Sequence, residues 1–175
     1  MLKVLNQKEF DSAYAILKES FPIAEFRTKE KQKALLQKKE YVLYGIYKEE
    51  SDEEIVGILA TWQIRGYIYI EHFAIKNSLR GSGIGGRLLQ QLQESSETKI
   101  VLEVELPEET MQKRRVAFYE KHGFHGNDFS YMQPPLREGE ALFPLMLMTY
   151  PRSLSETEFL QCKKLLYDTV YEYNS

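Results

Sequence analysis

The chain is poor in the residues that build metal centres and covalent cross-links. Its 175 residues include one cysteine, Cys162, and three histidines. A single cysteine excludes an intrachain disulfide and a zinc site made of cysteines, and the histidines are scattered, so we expect no bound metal. We interpret Cys162 as a packing residue of an amphipathic helix. One thiol suits a reducing compartment, and we expect a cytoplasmic protein.

Long apolar runs and a dominant charge are also missing. No apolar run approaches the roughly 20 residues of a membrane span, and the first residues lack a signal-peptide core, so we expect no membrane partner. The net charge is −3, with 23 basic and 26 acidic residues. This balance argues against nucleic-acid binding and favours a cationic partner. The length and the 43% apolar fraction predict one domain over residues 1–175, as a monomer or a homodimer.

The most informative segment that is present runs from Arg80 to Leu89 and is dense in glycine. Four of the six residues from Gly81 to Gly86 are glycines, and an apolar helix pattern follows directly. Glycine lets the main chain approach a ligand closely, and several N–H groups at a helix start form an anion-binding concavity. The segment therefore predicts a phosphate site.

Two kinds of phosphate site compete for this segment. Gly81-x-Gly83-x-x-Gly86 matches the dinucleotide fingerprint, and Glu103 follows at about the ribose-binding distance of roughly 20 residues. However, residues 76–80 separate the glycines from the preceding strand, Glu103 lies inside a predicted strand, and no further strand–helix repeats follow. A P-loop is excluded because no Gly-Lys-Ser/Thr is present. A nucleotide-binding oxidoreductase remains the more distant alternative.

Hydrophobic periodicity predicts the order strand, two helices, three strands, helix, strand, helix, two strands and helix. An acidic turn over 49–54 joins the first two strands of the central meander, and Ser155 with Glu158 predicts a capping box for a C-terminal helix over 153–174. Only the strands flanking the glycine-headed helix require parallel pairing. The fold class is α/β, a mixed sheet flanked by helices. The main predicted elements are Tyr41–Lys48, Ile55–Ile64, Tyr67–Ile75 and Ile100–Leu106 as strands, and Thr28–Lys39 and Thr110–His122 as helices.

Three features together resemble the GCN5-related N-acetyltransferase (GNAT) family. Arg80-x-x-Gly83-x-Gly85 fits the family's pyrophosphate loop, the strand Glu71–Ile75 precedes it, and Phe118-Tyr119-x-x-x-Gly123-Phe124 follows after one strand. The resemblance covers a core of residues 1–150, with the C-terminal helix as an addition. It implies the acyl-CoA N-acyltransferase fold, a twisted mixed sheet whose two central parallel strands splay apart. Gln112 departs from the family pattern, which often has Asn there.

The resemblance also implies acetyl-CoA as the cofactor and assigns residues to it. The main chain of the strand before the loop would pair with the pantetheine arm, the loop amides would hold the pyrophosphate, and Arg115 would reach the charged end. Segments 22–27 and 131–136 would shape the amine pocket. The expected cofactor-binding residues are Phe73, Ala74, Ile75, Arg80, Gly81, Ser82, Gly83, Ile84, Gly85, Gly86, Arg115 and Tyr119, and the expected substrate-binding residues are Glu25, Tyr131 and Gln133.

Acetyl transfer to a primary amine needs a base that removes a proton from the ammonium form of the acceptor. The candidates are Glu71 and Glu103, with Glu103 favoured and Glu105 a third choice. Strand alternation predicts that Glu71 shares a face with Phe73 and Ile75, opposite His72. Tyr119 is the candidate donor to the leaving sulfur. We expect direct attack in a ternary complex, because no activated Ser or Cys motif is visible. The alternative is a non-catalytic acyl-CoA-binding module on the same fold.

Overall fold

The computed structural model describes residues 1–48 and 51–173. Its helices and strands follow the predicted order, with one further strand. The strands are β1 Leu2–Val4, β2 Tyr41–Lys48, β3 Ser51–Ile64, β4 Tyr67–Ile75, β5 Lys99–Glu105, β6 His125–Gly126, β7 Tyr131–Gln133 and β8 Phe143–Tyr150. The helices are α1 Phe10–Ser20, α2 Lys29–Ala34, α3 Ile84–Glu94, α4 Thr110–Lys121 and α5 Glu156–Leu166. Glu49 and Glu50 of the predicted acidic turn lie outside the described residues.

All eight strands belong to one mixed sheet. The order is β1-β2-β3-β4-β5-β8-β6, and β7 also pairs with β8. Strands β4 and β5 pair in parallel through the crossover helix α3, whereas the other neighbours pair antiparallel. The sheet confirms the predicted fold class and places the glycine segment directly after the central strand β4.

Helices cover both faces of the central strands. On one face, Leu17 of α1 and Leu166 of α5 share a hydrophobic cluster with Tyr69 of β4 and Val101 of β5. On the opposite face, Leu89 of α3 and Val116 of α4 pack with Ile70 of β4 and Leu102 of β5. We call these the α1/α5 face and the α3/α4 face. Burial on both faces explains why β4 and β5 are apolar over most of their length.

The C-terminal helix begins where its capping box predicts. Ser155 accepts a hydrogen bond from the Glu158 main-chain N–H, and the Glu158 carboxylate accepts one from the Ser155 N–H at 2.9 Å. Cys162 is fully buried on the apolar side of this helix. After Leu166 the helix continues as a π-helical turn, Tyr167–Tyr171, which the helical periodicity does not predict.

Three further differences have physical causes. The predicted helix Thr28–Lys39 is shorter, because α2 ends at Ala34 and tightens into a 3-10 turn over Leu35–Gln37. Strand β6 is only two residues long, too short for an alternating pattern. Strand β4 carries a β-bulge, because Ala60 of β3 pairs with His72 and Thr61 pairs with Ile70, leaving Glu71 as an extra residue.

No helix in the described part of the chain is long and apolar enough to cross a membrane.

Candidate active site

The two central parallel strands separate halfway along their length. The pairing of β4 with β5 runs from Tyr67 opposite Lys99 to Ile70 opposite Leu102 and stops there. Beyond that point β4 stays paired with β3 as far as Ile75, and β5 stays paired with β8 as far as Glu105. A gap therefore opens between the carboxyl-terminal halves of β4 and β5, as the family resemblance implies.

The main chain of β4 is free to bind a ligand along this gap. Lys76 donates its N–H to the Val56 carbonyl of β3 at 2.8 Å. Because main-chain bonding directions alternate along an antiparallel ladder, the N–H and C=O groups of Phe73 and Ile75 face away from β3 and towards the gap. The side chain of Arg80 already donates to the Ile75 carbonyl at 3.2 Å. An extended amide chain in the gap can pair with β4 as an additional strand.

The glycine segment closes one end of the gap with unpaired amides. Gly81 and Gly83 have φ angles of +81°, which place them in the left-handed region. Gly83 is the N-cap residue of α3 and supplies no side-chain cap, and the first hydrogen bond into the helix comes from the Arg87 N–H to the Gly83 carbonyl. The N–H groups of Ile84, Gly85 and Gly86 are therefore left without a helical partner. Free N–H groups at a helix start are able to bind an anion.

Gly86 also allows α3 and α4 to approach each other. A Cβ at position 86 would lie 2.4 Å from Nε2 of His122. His122 is held in place because its Nδ1 lies 2.7 Å from the Phe118 carbonyl. The close packing of α3 against the end of α4 therefore depends on the absence of a side chain at position 86.

Tyr119 lies on α4 with its ring packed and its hydroxyl unpaired. The ring makes an edge contact with Phe124 at a centroid distance of 5.6 Å, and the Phe124 N–H donates to the Tyr119 carbonyl at 3.1 Å. Burial raises the pKa of Tyr119 to about 12. No other residue of the described chain hydrogen-bonds the hydroxyl, and Tyr119 lines the cavity described next.

The gap is part of a cavity of about 800 Å³. Its lining includes all but two of the predicted site residues. The exceptions are Ser82, whose hydroxyl donates to the Leu79 carbonyl at 2.7 Å, and Tyr131, whose hydroxyl donates to Glu103. The predicted residues that line the cavity are Glu25, Glu71, Phe73, Ala74, Ile75, Arg80, Gly81, Gly83, Ile84, Gly85, Gly86, Glu103, Arg115, Tyr119 and Gln133.

Cationic and acidic side chains line different parts of this cavity and meet where Arg115 pairs with Glu105. The cationic lining residues lie at the glycine segment and on α3 and α4, namely Arg80, Arg87, Arg114, Arg115 and Lys121. The acidic lining residues come from the loop after α1 and from β4 and β5, namely Glu25, Glu71, Glu103 and Glu105. The cationic end suits a phosphorylated ligand, and the acidic end suits an amine.

Glu103 is a half-buried carboxylate held by uncharged donors. Its oxygens accept hydrogen bonds from the Tyr131 hydroxyl, from the Gln133 amide at 2.6 Å and from the Tyr171 hydroxyl at 2.6 Å. The Tyr171 hydroxyl also lies 3.1 Å from that of Tyr69. Burial raises the pKa of Glu103 above its ordinary value, although these hydrogen bonds oppose the shift. A carboxylate with a raised pKa is a stronger proton acceptor.

Glu71 lies in a different environment, because it forms an ion pair. Arg27 donates to its Oε1 at 2.6 Å, and both side chains are at most 9% exposed. Burial alone would raise the pKa of Glu71, but Arg27 and the neighbouring His72 lower it to about 2. Its Oε2 lies 3.6 Å from Nδ1 of His72. Ionised and paired, Glu71 is a weak base.

The predicted facing of Glu71 is wrong. Phe73 packs with the α3/α4 face, whereas Glu71 contacts Arg27, whose guanidinium lies 5.9 Å from the Trp62 ring on the α1/α5 face. His72 lies beside Glu71 rather than opposite it. The bulge explains the error, since an extra residue shifts the phase of alternation within β4.

Arg115 and Gln112 have local partners on α4. Arg115 donates to the Glu105 carboxylate at 2.8 Å while both residues line the cavity. Gln112 accepts hydrogen bonds from the main-chain N–H groups of Glu109 and Glu108 at 2.8 and 3.0 Å. The residue that departs from the family pattern therefore caps the helix on which Tyr119 lies.

Sequence reasoning missed Tyr171, and it placed Arg27 in the pocket segment 22–27 without predicting its pairing with Glu71. Tyr171 reaches Glu103 because the π-helical turn changes the phase of the last helical residues, and a regular helical pattern gives no sign of that change. Arg27 neutralises Glu71 and also donates to the Val170 carbonyl at 2.9 Å. Arg27 is followed by Thr28, Lys29 and Glu30, and this polar surrounding gives no sign in the sequence that the arginine is buried.

Comparisons with known proteins agree with this geometry. The model of the family described as Acetyltransferase (GNAT) domain matches residues 40–126. YjbC of Bacillus subtilis strain 168, which is named as an acetyltransferase, is 29% identical over 163 residues, covering 91% of this chain and 81% of its own. The solved structure of a GNAT-family acetyltransferase of Bacteroides thetaiotaomicron is 31% identical, covers 99% of each chain and has a TM-score of 0.91.

More distant structures share the fold. The Escherichia coli ribosomal-protein-S18-alanine N-acetyltransferase has a TM-score of 0.61 at 18% identity, with 89% of this chain and 95% of that chain covered. Fold and site together define an acetyltransferase. The chain belongs to the GNAT family, as the sequence motifs predict.

Proposed function

We propose that this acetyltransferase uses acetyl-CoA and transfers the acetyl group directly to a primary amine. The observation that carries the proposal is the gap between β4 and β5. One end of the gap carries unpaired amides and cationic side chains, the other end carries carboxylates, and Tyr119 lines the same cavity. A donor with a diphosphate at one end and a thioester at the other fits this arrangement.

The chain's residues fit coenzyme A along its length. The amides of Ile84, Gly85 and Gly86 face the position for the diphosphate, and Arg80 and Arg87 line the same part of the cavity. Phe73 and Ile75 present main-chain groups to the pantetheine amides. When bound, acetyl-CoA supplies an activated acetyl thioester. We place it with its sulfur near Tyr119.

Glu103 is the proposed general base, in preference to Glu71. Both face the cavity, but Glu71 is ion-paired to Arg27 and has a pKa of about 2. Glu103 has no cationic partner among the described residues, and burial raises its pKa. It therefore accepts a proton from the acceptor ammonium more readily, directly or through water. We assign Glu71 to holding Arg27 and the end of the bulge in place.

Tyr119 is the proposed donor to the leaving sulfur. A C–N bond forms as the C–S bond breaks, and the thiolate ends with a proton that the attacking nitrogen gives up. Because the pKa of Tyr119 is about 12 and that of a thiol is about 8.5, full proton transfer from the tyrosine is uphill. Donation of a hydrogen bond to the sulfur is therefore the main part of the role. Burial supports this role by keeping the hydroxyl protonated.

The burial of the one cysteine of the chain supports direct transfer. Cys162 is fully buried in α5, does not line the cavity, and has a pKa raised by burial to about 12. A thiol in that state is a poor nucleophile, because the reactive form is the thiolate. A covalent acyl-enzyme on this cysteine is therefore not part of the proposal.

A two-part experiment tests the proposed function. Thermal shift with acetyl-CoA, NAD and ATP is expected to show stabilisation by acetyl-CoA alone among the three, because a ligand that binds only the folded state raises the melting temperature. Release of CoA is then measured with a panel of primary amines. Absence of a shift with millimolar acetyl-CoA would refute the cofactor assignment. A shift without CoA release from any amine would favour the non-catalytic module.

A further inference from the structure

We propose that the amine acceptor carries an apolar chain or ring, which binds along β8 on Leu145 and Phe143 while its amino group lies at the carboxylates. The inference rests on the proposed function, since it names the class of acceptor for the same site. At the acidic end of the cavity, the register of the sheet sets carboxylates of β5 beside apolar residues of β8.

The carboxylates and an apolar row lie side by side on one face of the sheet. Glu103 pairs with Leu147 and Glu105 pairs with Leu145 across β5 and β8. Leu145 and Leu147 both belong to the cluster on the α1/α5 face. Directly paired residues have Cβ atoms about 5 Å apart. Each carboxylate of β5 on this face therefore has an apolar neighbour on β8.

Exposure increases along this apolar row towards the end of the strand. Leu147 is fully buried, Leu145 is 8% exposed and Phe143 is 47% exposed. Phe143 pairs with Gln133, whose amide donates to Glu103. Both Phe143 and Leu145 line the cavity. The row therefore leads from the proposed base to an aromatic ring that no other side chain covers completely.

One further exposed apolar side chain, Met111, lines the same cavity. The described chain has eight large apolar residues that are exposed. Met111 and Phe143 line the cavity, and three more are close in sequence to lining residues. Those three are Ile23, two residues before Glu25, Leu106, next to Glu105, and Leu142, next to Phe143. Exposed apolar surface at a concave site marks a place where an apolar ligand group binds.

In the part of the chain that the structure describes, the acidic end of the cavity carries carboxylates without an ion-pair partner, so we expect the apolar group of the acceptor to be joined to a cation. Glu25 is half-buried and lines the cavity, and no ion pair holds it within the described residues. Glu105 is neutralised by Arg115, and Glu71 by Arg27. Glu25 and Glu103 are therefore the two carboxylates left for an amine, and the apolar row begins beside the second of them.

The test uses straight-chain primary amines from propylamine to octylamine, which share one charge and differ only in apolar length. Binding to the CoA-saturated protein is measured by calorimetry, and kcat/KM is measured by CoA release. Four residues of strand separate Glu103 from the level of Phe143, about 13 Å, so only the longer chains are expected to reach the Phe143 ring. Affinity and kcat/KM are expected to rise roughly two- to fourfold for each added methylene.

Substitution of Phe143 tests whether the dependence on chain length arises from contact with this ring. Phe143→Ala is expected to reduce the octylamine-to-propylamine ratio about three- to tenfold. Leu160→Ala is the matched control, because Leu160 is 57% exposed on α5 and does not line the cavity. It is expected to leave the ratio unchanged.

The outcomes separate this inference from the proposed function. Affinity that does not change with chain length, or 1,4-diaminobutane binding better than octylamine, would overturn the apolar acceptor even if CoA is released. Binding that strengthens with chain length but gives no CoA release would support the apolar site and refute the transfer reaction. Equal effects of Phe143→Ala and Leu160→Ala would also overturn the inference.

Discussion

Among single side chains, Glu103 and Tyr119 differ in how their polar atoms are satisfied. Glu103 accepts three hydrogen bonds, whereas the Tyr119 hydroxyl has no partner in the described part of the chain. Because Tyr119 lines the cavity, a ligand bound there can become the partner of its hydroxyl. This contrast gives each residue its own expected response to substitution.

Tyr119→Phe removes a hydroxyl that stabilises nothing in the free protein. We expect kcat to fall about 10- to 100-fold, the value of one hydrogen bond to a charged group, with little change in melting temperature. Steady-state CoA release and a melting curve measure the two effects. Full activity in the variant would show that Tyr119 does not assist the leaving group.

Glu103→Gln removes the proposed base while keeping the size of the side chain. We expect kcat/KM to fall about 10²- to 10⁴-fold. In the unsubstituted protein, activity is lost as pH falls through the pKa of Glu103, which burial places above the ordinary 4.5. The pH dependence of kcat/KM measures this limb. If the loss of kcat/KM at low pH persists unchanged in the variant, a group other than Glu103 causes it.

At the scale of helices and turns, the π-helical turn brings the end of the chain into the site. Tyr171 donates to Glu103 and thereby favours the ionised carboxylate. Tyr171→Phe removes this donor, so the pKa of Glu103 rises further. We expect the acid limb of the pH profile to move to higher pH.

Tyr173→Phe is the matched control for that prediction. Tyr173 packs against the Tyr167 ring at 5.7 Å, in the same segment, and does not contact Glu103. Its substitution is expected to leave the limb in place. Equal shifts in both variants would indicate a general loosening of the segment rather than the loss of one donor.

The glycine segment allows a second matched comparison. Gly81 and Gly139 both have positive φ, +81° and +85°, and a Cβ at either position would meet nothing within 4 Å. Alanine at each costs about 1–2 kcal/mol of backbone strain. We expect only Gly81→Ala to reduce the thermal shift by CoA, because Gly139 lies outside the cavity lining. A comparable loss with Gly139→Ala would contradict the proposal that the glycine segment binds CoA.

Elements with strong local signals are predicted well from the sequence. The bounds of β2 and β4 and the Ser155 capping box are confirmed, because alternation and capping residues act over a few neighbours. The bulge at Glu71 and the π turn are not predictable in this way, since each inserts one residue and depends on contacts with distant segments. Consequently the position of the glycine segment between β4 and α3 is predictable from the sequence, whereas the partners of Glu71 and Glu103 are not.

At the scale of the whole molecule, the buried Arg27–Glu71 pair links the segment between α1 and α2, strand β4 and the end of the chain. Arg27 bonds Glu71 and the Val170 carbonyl. The pKa of Glu71 is lowered to about 2, so its contribution to stability is present above about pH 4.5 and is lost as pH falls towards 2. The pair is therefore expected to make folding sensitive to acid.

Glu71→Gln leaves Arg27 buried without its counter-charge. We expect the free energy of unfolding near pH 7 to fall by about 3–5 kcal/mol, and the difference from the unsubstituted protein to shrink towards pH 2. Denaturant titrations over this range measure it. Glu138→Gln is the control, because that side chain is 93% exposed in its pair with Lys31. A difference for Glu71→Gln that does not vary with pH would contradict the assigned pair.

The burial of Cys162 has a practical consequence for measuring the proposed reaction. The only sulfhydryl of the chain is sealed inside the protein and stays protonated at working pH. A colorimetric disulfide reagent should therefore report each coenzyme molecule set free while the folded catalyst itself remains silent. In a parallel cuvette without acetyl-CoA, a slow rise in colour would then register unfolding, so the same reagent follows turnover in one cuvette and the integrity of the enzyme in the other.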